Sequence, residues 1–309
     1  MIQNYVRYNG ILTEVSDFEP QSVILVTNPD LDEIARLSEK FGFDSDFITD
    51  ALDVEERARF EKEGQNLLII LKIPYFSDES RIKVPYTTIS LGIILGADWT
   101  IIVSRKPVDF IKRMFQKNVF NPKKQTQLVL HIFLRNSEIF LSYLKDIYTK
   151  INDIEDHLHE SQRNIELEHM MQLEKSLVYF ATSLRSNRVM TDRLLRSPLL
   201  VKYEEDLVLL EDTQIENGQA IEMTTIYSNI LSSMMDAYAS VISNNLNFVM
   251  KILTIVTIVM QVPTILTSFY GMNVPLPLQT DWFAYLLVIV WSCLIAILIV
   301  SIFKRQRWL

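Results

Sequence analysis

The chain has 309 residues, 49% of them hydrophobic, a formal net charge of −8 at pH 7 and a single cysteine. This length is more than one ordinary domain needs, and the acidic charge argues against nucleic acid as a partner. One cysteine excludes an intramolecular disulfide framework, and the cysteine and histidines lack the spacing of a zinc site.

Residues 1–120 contain most of the turn-forming residues and predict a small cytoplasmic α/β domain. A helix is predicted over Leu31–Phe41, behind an Asn28-Pro29-Asp30 start, and a second short helix over Asp44–Leu52. The domain has no glycine-rich phosphate loop, nucleophile elbow or Cys-His pair, so the sequence predicts no enzymatic activity. Four runs rich in Ile, Val, Leu and Thr predict strands: Ser22–Thr27, Leu67–Ile73, Tyr86–Leu95 and Thr100–Ser104.

Beyond residue 120 the spacing of apolar residues predicts three long helices. Thr126–Glu160 and Ile165–Leu200 are predicted to pair as an antiparallel hairpin within residues 121–202. The third helix runs from about Tyr203 to Phe269, on the order of 100 Å at 1.5 Å per residue. Its first part, residues 203–251, is predicted to be a cytoplasmic stalk, and a helix of this length requires neighbours along it.

Two apolar segments near the C-terminus, residues 252–269 and 282–303, predict transmembrane helices. Asp281 is the only charged residue between Lys251 and Lys304. The second segment spans about 33 Å as a helix, enough to cross a bilayer core of about 30 Å. The alternative interpretation is a buried helical hairpin in a soluble core. The connecting loop, residues 270–281, is too short to form a domain.

The basic residues predict the orientation of these spans. Lys251 precedes the first span, and a basic tail, residues 304–309, follows the second. The loop between the spans contains no Lys or Arg. The positive-inside rule therefore predicts a multi-pass protein of the cytoplasmic membrane, with both termini in the cytoplasm and the loop outside.

The first predicted span carries a stripe of polar residues at a period of about 3.5, which favours a left-handed bundle with this stripe facing its axis. Polar residues in a span face a protein interior or a water-filled path, so the stripe predicts a pore. The alternative is that Ser and Thr hold packed helices together. Two spans enclose nothing, so a pore requires several copies of the chain. From the loop backward the stripe comprises Ser268, Thr264, Gln261, Thr257, Thr254, Met250, Asn247, Ser243, Ser240 and Asp236.

The end of this span carries a family resemblance. Tyr270-Gly271-Met272-Asn273 closes the first of two C-terminal spans, and the chain ends on Lys304-Arg305-Gln306-Arg307-Trp308-Leu309. This arrangement resembles the CorA magnesium transporters over most of the chain. The resemblance implies an α+β membrane protein with an N-terminal cytoplasmic α/β domain. A long stalk helix would continue into a pore-lining span, with a second span outside it, in a homopentameric funnel.

The resemblance also implies roles for residues of the pore. Tyr270, Gly271, Met272 and Asn273 would form the selectivity filter, with the Asn273 carbonyl accepting hydrogen bonds from the water shell of Mg²⁺. Gly271 can adopt a positive φ where the helix ends, and can let backbones approach the axis. Below the filter, Thr264, Gln261 and Thr257 would line the path. Met250 and Leu253 would form an apolar constriction, although the stripe alone would select Thr254 instead of Leu253. Asn247 and Asp236 match the polar cytoplasmic end of the family's pore.

A further implication is regulation by intracellular Mg²⁺ through Asp50 and Asp212. Asp50 ends a stretch, residues 41–50, that resembles the segment carrying the family's regulatory acid, and Asp212 lies where the family places the partner acid. In the resemblance the two acids meet between neighbouring subunits. Two carboxylates held close together repel unless a divalent ion lies between them, so ion binding would hold the subunits together and the pore closed.

The predicted function is therefore passive uptake of hydrated Mg²⁺, with Co²⁺ and Ni²⁺ as further candidates, gated by intracellular Mg²⁺. The expected partners are other copies of the chain, the lipid bilayer and divalent cations. No cofactor is expected, because Mg²⁺ is both substrate and regulatory ligand. The alternatives are a transporter of Zn²⁺ or another divalent metal on the same architecture, and a non-transporting two-span anchor for a cytoplasmic signalling coiled coil.

Overall fold

The computed structural model describes residues 1–8, 11–77, 84–117, 121–158, 164–197, 199–200, 204–274, 276–277 and 282–306. Asp281 and the tail residues Arg307, Trp308 and Leu309 lie outside the described residues. The chain falls into two compact units, Met1–Met235 and Asp236–Leu309.

The first unit is built on a seven-stranded mixed sheet. In chain order its strands are β1 (Ile2–Tyr8), β2 (Ile11–Val15), β3 (Ser22–Thr27), β4 (Arg59–Glu63), β5 (Asn66–Phe76), β6 (Tyr86–Leu95) and β7 (Trp99–Ser104). Their order in the sheet is β2-β1-β3-β7-β6-β5-β4, with β3 and β7 parallel and every other neighbouring pair antiparallel.

Helices cover both faces of this sheet. On one face lie α1 (Leu31–Phe41) and α2 (Asp46–Leu52), and on the other lie α3 (Asp109–Gln116), α4 (Gln125–Leu158) and α5 (Asn164–Leu195). The helix α6 (Glu204–Tyr270) begins in the first unit and continues into the second, and α7 (Ala284–Arg305) belongs to the second unit. Side chains alternate between faces along a strand. Ile24 and Val26 of β3 therefore pack with α1 and α2, whereas Val23 and Leu25 pack with α3, α4 and α5.

Local sequence fixes the two helices on the first face. Asp30 accepts a hydrogen bond from the Glu33 amide at 2.7 Å, and the Glu33 side chain accepts one from the Asp30 amide at 3.2 Å, so a capping box starts α1. Gly42 ends α1 in the left-handed region, with φ at 65°. The next helix, α2, buries Phe47, Ile48 and Ala51 in the core.

Glycine at position 92 allows α2 to lie close to the sheet. A Cβ on Gly92 of β6 would overlap the Cβ of Ala51 and lie 3.7 Å from the Cβ of Val103. The close approach fixes the position of α2, and with it the position of Asp50 in the last turn of that helix.

Long helices form a second apolar cluster. Phe140 of α4 and Phe180 of α5 meet edge to face with ring centroids 5.0 Å apart, and Ala220 of α6 joins the same cluster. Tyr148 and Tyr227 stack at 4.8 Å between α4 and α6. The part of α6 before residue 236 is therefore a packed element of the first unit.

A buried lysine links the sheet to α2. Lys72 of β5 is 7% exposed, and its ammonium donates hydrogen bonds to the carbonyl of Val54 at 2.6 Å and to the Ser90 hydroxyl at 3.2 Å. Burial lowers the pKa of Lys72 below its usual value. The backbone carbonyl of Lys72 accepts from the side-chain amides of Asn136 and Asn187 at 3.1 and 2.7 Å. One residue thus ties the end of α2 to α4 and α5.

The structure confirms the four predicted strands as β3, β5, β6 and β7, and the two short helices as α1 and α2. The sequence did not predict β1, β2, β4 or α3. The predicted helix from about residue 203 to Phe269 is observed as α6, which has 67 residues. Pro263 lies inside this helix without ending it.

The second unit contains the C-terminal part of α6 and the whole of α7. Both helices are long and apolar enough to cross a membrane, and only 6% of the most apolar window of each is buried. Large apolar side chains such as Met260, Ile265 and Trp282 are exposed in the single chain. An apolar surface of this extent requires lipid or further protein around it.

We expect Gly92→Ala to lower the free energy of unfolding by about 1–3 kcal/mol, because the new Cβ overpacks the contact with Ala51. The matched control is Gly218→Ala in α6, where nothing lies within 4 Å of a new Cβ. Alanine there is expected to raise the free energy of unfolding by up to about 1 kcal/mol through helix propensity. Thermal unfolding of the full-length variants, followed by circular dichroism, tests both signs. Equal effects at the two positions would contradict the close packing of α2.

Candidate functional site

The polar stripe of α6 lies on the exposed surface of the single chain. Thr257, Gln261 and Thr264 are exposed, as are Asn247 and Asp236 toward the start of the second unit. Because most of this helix is exposed, exposure alone does not distinguish the stripe from its neighbours. Its polarity distinguishes it, because it is the hydrogen-bonding face of an otherwise apolar segment.

The threonine hydroxyls of the stripe donate their hydrogens to carbonyls of the same helix. Thr254, Thr257 and Thr264 each donate to the carbonyl four residues earlier, at 2.8, 2.7 and 3.0 Å. A hydroxyl has one hydrogen and two acceptor lone pairs. With the hydrogen directed into the helix, the oxygen presents acceptor character to its surroundings. This is the polarity that water molecules around a cation require.

One residue on the opposite side of the same helix is covered. Ile255 is 5% exposed, the one buried hydrophobic side chain of α6 among its residues after 238. At about 100° per residue, Ile255 lies roughly opposite Thr257 and Thr264 around the helix. In α7, Ser292 is also buried and donates to the Val288 carbonyl at 2.7 Å. The single covered position of the span thus lies away from the polar stripe.

Pro263 adds a backbone acceptor to this region, which the sequence analysis did not use. Proline has no amide hydrogen, so the carbonyl of Val259 loses its donor from the fourth residue along the helix. One turn later, the Thr267 hydroxyl donates to the Pro263 carbonyl at 2.8 Å. A carbonyl without its helical donor needs water or another polar partner inside a membrane. The signal was present in the sequence as a proline within an apolar helix.

The turn after α6 remains close to helical, and the positive φ that was possible at Gly271 is not observed. The Gly271 amide donates to the Thr267 carbonyl at 2.9 Å, and the Met272 amide to the Phe269 carbonyl at 3.3 Å. Gly271 does not adopt the positive φ that glycine would allow; the described glycines with positive φ are Gly42 and Gly64. A Cβ at Gly271 would lie 3.2 Å from the Thr267 carbonyl oxygen, which is the acceptor of its own helical hydrogen bond.

Asn273 and Met272 are exposed after this turn, and Tyr270 is partly exposed with its ring 6.1 Å from that of Phe269. Farther down α6, Met250 and Leu253 are 58% and 57% exposed. These two apolar side chains make no closure within one chain. The predicted filter and constriction both require other copies to become rings.

The predicted regulatory acid Asp50 forms an ion pair in the single chain. Its Oδ2 accepts a hydrogen bond from Nη2 of Arg59 at 2.6 Å. Burial raises the pKa of the Asp50 carboxyl above its usual value, and Arg59 acts in the opposite direction. The nearby carboxylates of Glu56, Asp46 and Glu61 raise that pKa further.

The second predicted acid, Asp212, is exposed on α6. Within the described part of the chain, no group of three or more His, Cys, Asp or Glu side chains is placed to hold a metal ion. Carboxylate oxygens are suitable ligands for Mg²⁺. The predicted pairing of Asp50 with Asp212 across two copies of the chain stays a prediction.

The chain is similar to known proteins both in sequence and in structure. The model of a family described as CorA-like Mg²⁺ transporter protein matches residues 24–305. The cobalt/magnesium transport protein CorA of Methanocaldococcus jannaschii is 30% identical over 308 residues, covering 96% of this chain and 95% of that protein. Its counterpart from Thermotoga maritima is 24% identical over 286 residues, covering 90% and 80%. The complete structure of the CorA magnesium transporter from M. jannaschii superposes with a TM-score of 0.83 at 28% identity, covering 100% of this chain and 99% of that one.

We expect Thr257→Val to lower divalent-cation flux by at least about threefold, because valine keeps the shape but removes an acceptor worth roughly 1 kcal/mol. The control is Ser292→Ala, which removes a hydroxyl that is bonded in the same way but lies buried in α7. Flux into vesicles, normalised to reconstituted protein, compares the two. Equal loss in both variants would indicate that the stripe serves helix packing and not conduction.

Proposed function

Because the chain belongs to the CorA family of divalent-cation transporters, we propose that it admits hydrated Mg²⁺ passively through a pore lined by α6. The observation that supports this most directly is the exposed polar stripe, with its threonine oxygens left as acceptors. An ordinary membrane anchor has no use for such a face. An inside-negative potential would drive a divalent ion inward by about 4.6 kcal/mol per 100 mV.

The pore in this proposal is formed by a homopentamer. The exposed polar face of α6 supports assembly around an axis, since one chain cannot shield it from lipid. The opposite side of α6, at Ile255, is already covered. We therefore place residues 252–269 on the inside and residues 282–303 in an outer ring. The number of copies is taken from the family.

The mouth of the pore would select the ion by its water shell. Mg²⁺ binds six oxygens at short distance and gives up its waters reluctantly. In our proposal a ring of Asn273 carbonyls accepts hydrogen bonds from those waters, while Gly271 keeps the end of α6 compact and Tyr270 packs between subunits. The threonines and Gln261 below continue the same acceptor surface.

The lower pore would contain the closure. Met250 and Leu253 would form apolar rings that close the path by excluding water. Asn247 and Asp236 would provide a polar exit on the cytoplasmic side. This orientation follows the basic residues Lys251, Lys304 and Arg305, which favour a cytoplasmic location of both termini in the cytoplasmic membrane.

Intracellular Mg²⁺ would control the closure through Asp50 and Asp212. We propose that an ion bridges the two carboxylates between neighbouring subunits and so stabilises the closed ring. Ion binding favours the closed state only if that state binds the ion more tightly. When the ion leaves, repulsion between the acids would loosen the ring and widen the constriction at Met250 and Leu253.

We expect Asn273→Ala to abolish Mg²⁺ uptake while leaving the assembly intact, because it removes the side-chain oxygen. Asn273→Gly separates this role from helix capping, since glycine caps a helix but has no side-chain oxygen. Flux into vesicles and size-exclusion chromatography are measured on both variants. Flux at the wild-type level in Asn273→Gly would refute the selectivity role.

We expect Asp50→Asn combined with Asp212→Asn to remove inhibition by internal Mg²⁺. The variant should conduct at internal Mg²⁺ concentrations that close the wild-type pore, because amides bind the ion far more weakly than carboxylates. Channel currents recorded against internal Mg²⁺ provide the measurement. If the double variant closes at the wild-type concentration, regulation resides at other acids.

A further inference from the structure

Arg59 lies at the centre of three carboxylates beside α2. Its Nη2 donates to Asp50 at 2.6 Å, its Nε donates to Glu56 at 2.9 Å, and its Nη1 donates to Glu61. The side chains of Arg59 and Asp50 are 32% and 38% exposed, so the group is partly shielded and still reachable from solvent. One guanidinium therefore serves three acids, which leaves the cluster with an excess of negative charge.

The position of Arg59 is fixed by the surrounding backbone. Arg59 begins β4 and pairs with Ile70 of β5. The preceding residue, Ala58, donates its amide to the Ser186 hydroxyl of α5 at 3.0 Å. At the other end of the segment, the Val54 carbonyl accepts from Lys72. The fold thus fixes the backbone of Arg59 near Asp50, and its guanidinium has Glu56 and Glu61 as partners besides Asp50.

We propose that Arg59 is an internal competitor for the divalent cation at Asp50, occupying the carboxylate in the ion-free chain and setting the concentration at which the regulatory site fills. This inference rests on the proposed role of Asp50 as a regulatory ligand. Arg59 and Mg²⁺ compete because both carry positive charge and both need the same carboxylate oxygens. An ion approaching Asp50 has to displace the guanidinium from Oδ2 or bind Oδ1 against the repulsion of the arginine charge.

The other two carboxylates lower the free energy needed for the ion to replace Arg59 at Asp50. When Asp50 turns to the ion, Arg59 keeps its hydrogen bonds to Glu56 and Glu61 and is not left unpaired. The same contacts reduce the repulsion among the three carboxylates while the ion is absent. Arg59 therefore keeps the segment ordered at low Mg²⁺ and raises the Mg²⁺ concentration needed for closure.

Removing the Arg59 guanidinium is expected to lower the Mg²⁺ concentration at which the pore closes. In Arg59→Gln the concentration for half-maximal closure should fall by about threefold to tenfold, the range for a partly exposed ion pair together with repulsion between two cations. Arg59→Lys keeps the charge but not the planar fork, so its shift should be smaller. The control is Arg57→Gln, which removes the same charge from an exposed residue of the same segment, one for which the structure gives no ion pair.

The full-length protein in detergent provides a readout besides transport. Closure by Mg²⁺ should protect the chain from proteinase K, and the Mg²⁺ concentration for half-maximal protection is measured for each variant alongside vesicle flux. Size-exclusion chromatography confirms that each variant assembles. In the Asp50→Asn background, Arg59→Gln should produce no further shift, since there is no carboxylate left to compete for.

Three outcomes contradict the competition between Arg59 and the ion, and one of them also contradicts the sensing role of Asp50. An unchanged concentration in both Arg59 variants, with normal dependence on Asp50, removes the competition but leaves the sensing role intact. Equal shifts in Arg57→Gln and Arg59→Gln indicate a general charge effect. If Asp50→Asn itself leaves protection and closure unchanged, the proposed sensing role fails, and this inference fails with it.

Discussion

A polar side chain inside a bilayer is costly unless it faces protein or water, and this constraint determines how α6 is used. The helix has one face of hydrogen-bonding groups within a segment that is otherwise apolar. Lipid cannot satisfy that face. The hydroxyls of Thr254, Thr257 and Thr264 partly resolve the problem by donating to the helix itself. Their oxygens remain available, which is why we assign the face to water and hydrated cations.

The parts of α6 before and after residue 236 differ in their packing and in the side chains that they carry. Before residue 236, α6 packs with α4 and α5 and carries Asp212; after it, α6 carries the stripe and the turn at Gly271. One continuous helix thus packs into the core of the first unit and also carries the polar stripe of the second. Asp50, in contrast, is positioned by α2, which Gly92 and the buried Lys72 hold against the sheet. The two acids that we propose as regulatory therefore lie on packed elements, as a site shared between subunits would require.

Much of this arrangement was predictable from the sequence because local patterns determine it. The core strands β3, β6 and β7 are rich in β-branched residues, and Asp30 is an N-cap residue that indicates the start of α1. The edge strand β4 was missed because Arg59-Phe60-Glu61-Lys62-Glu63 has a charged, solvated side typical of edges. The sequence allowed Gly271 a left-handed conformation, since glycine often ends helices that way, whereas this turn keeps helical hydrogen bonds.

The contacts of Arg59 were not predictable for a different reason. They bring together residues 50, 56, 59 and 61 through a helix end, a loop and a strand, and no periodic pattern encodes such a meeting. The family and its two spans, in contrast, follow from a short motif and two apolar segments. The assembly number has no local signature at all, since it depends on the angle between identical surfaces.

Passive conduction along α6 is tested most directly by Mg²⁺ flux into sealed liposomes that contain only this protein. With no nucleotide present and no ion gradient other than Mg²⁺ and the K⁺ gradient that sets the potential, an inside-negative potential should accelerate uptake, and reversing the potential should slow it. Uptake no faster than in protein-free liposomes, or uptake indifferent to the potential, would contradict the account.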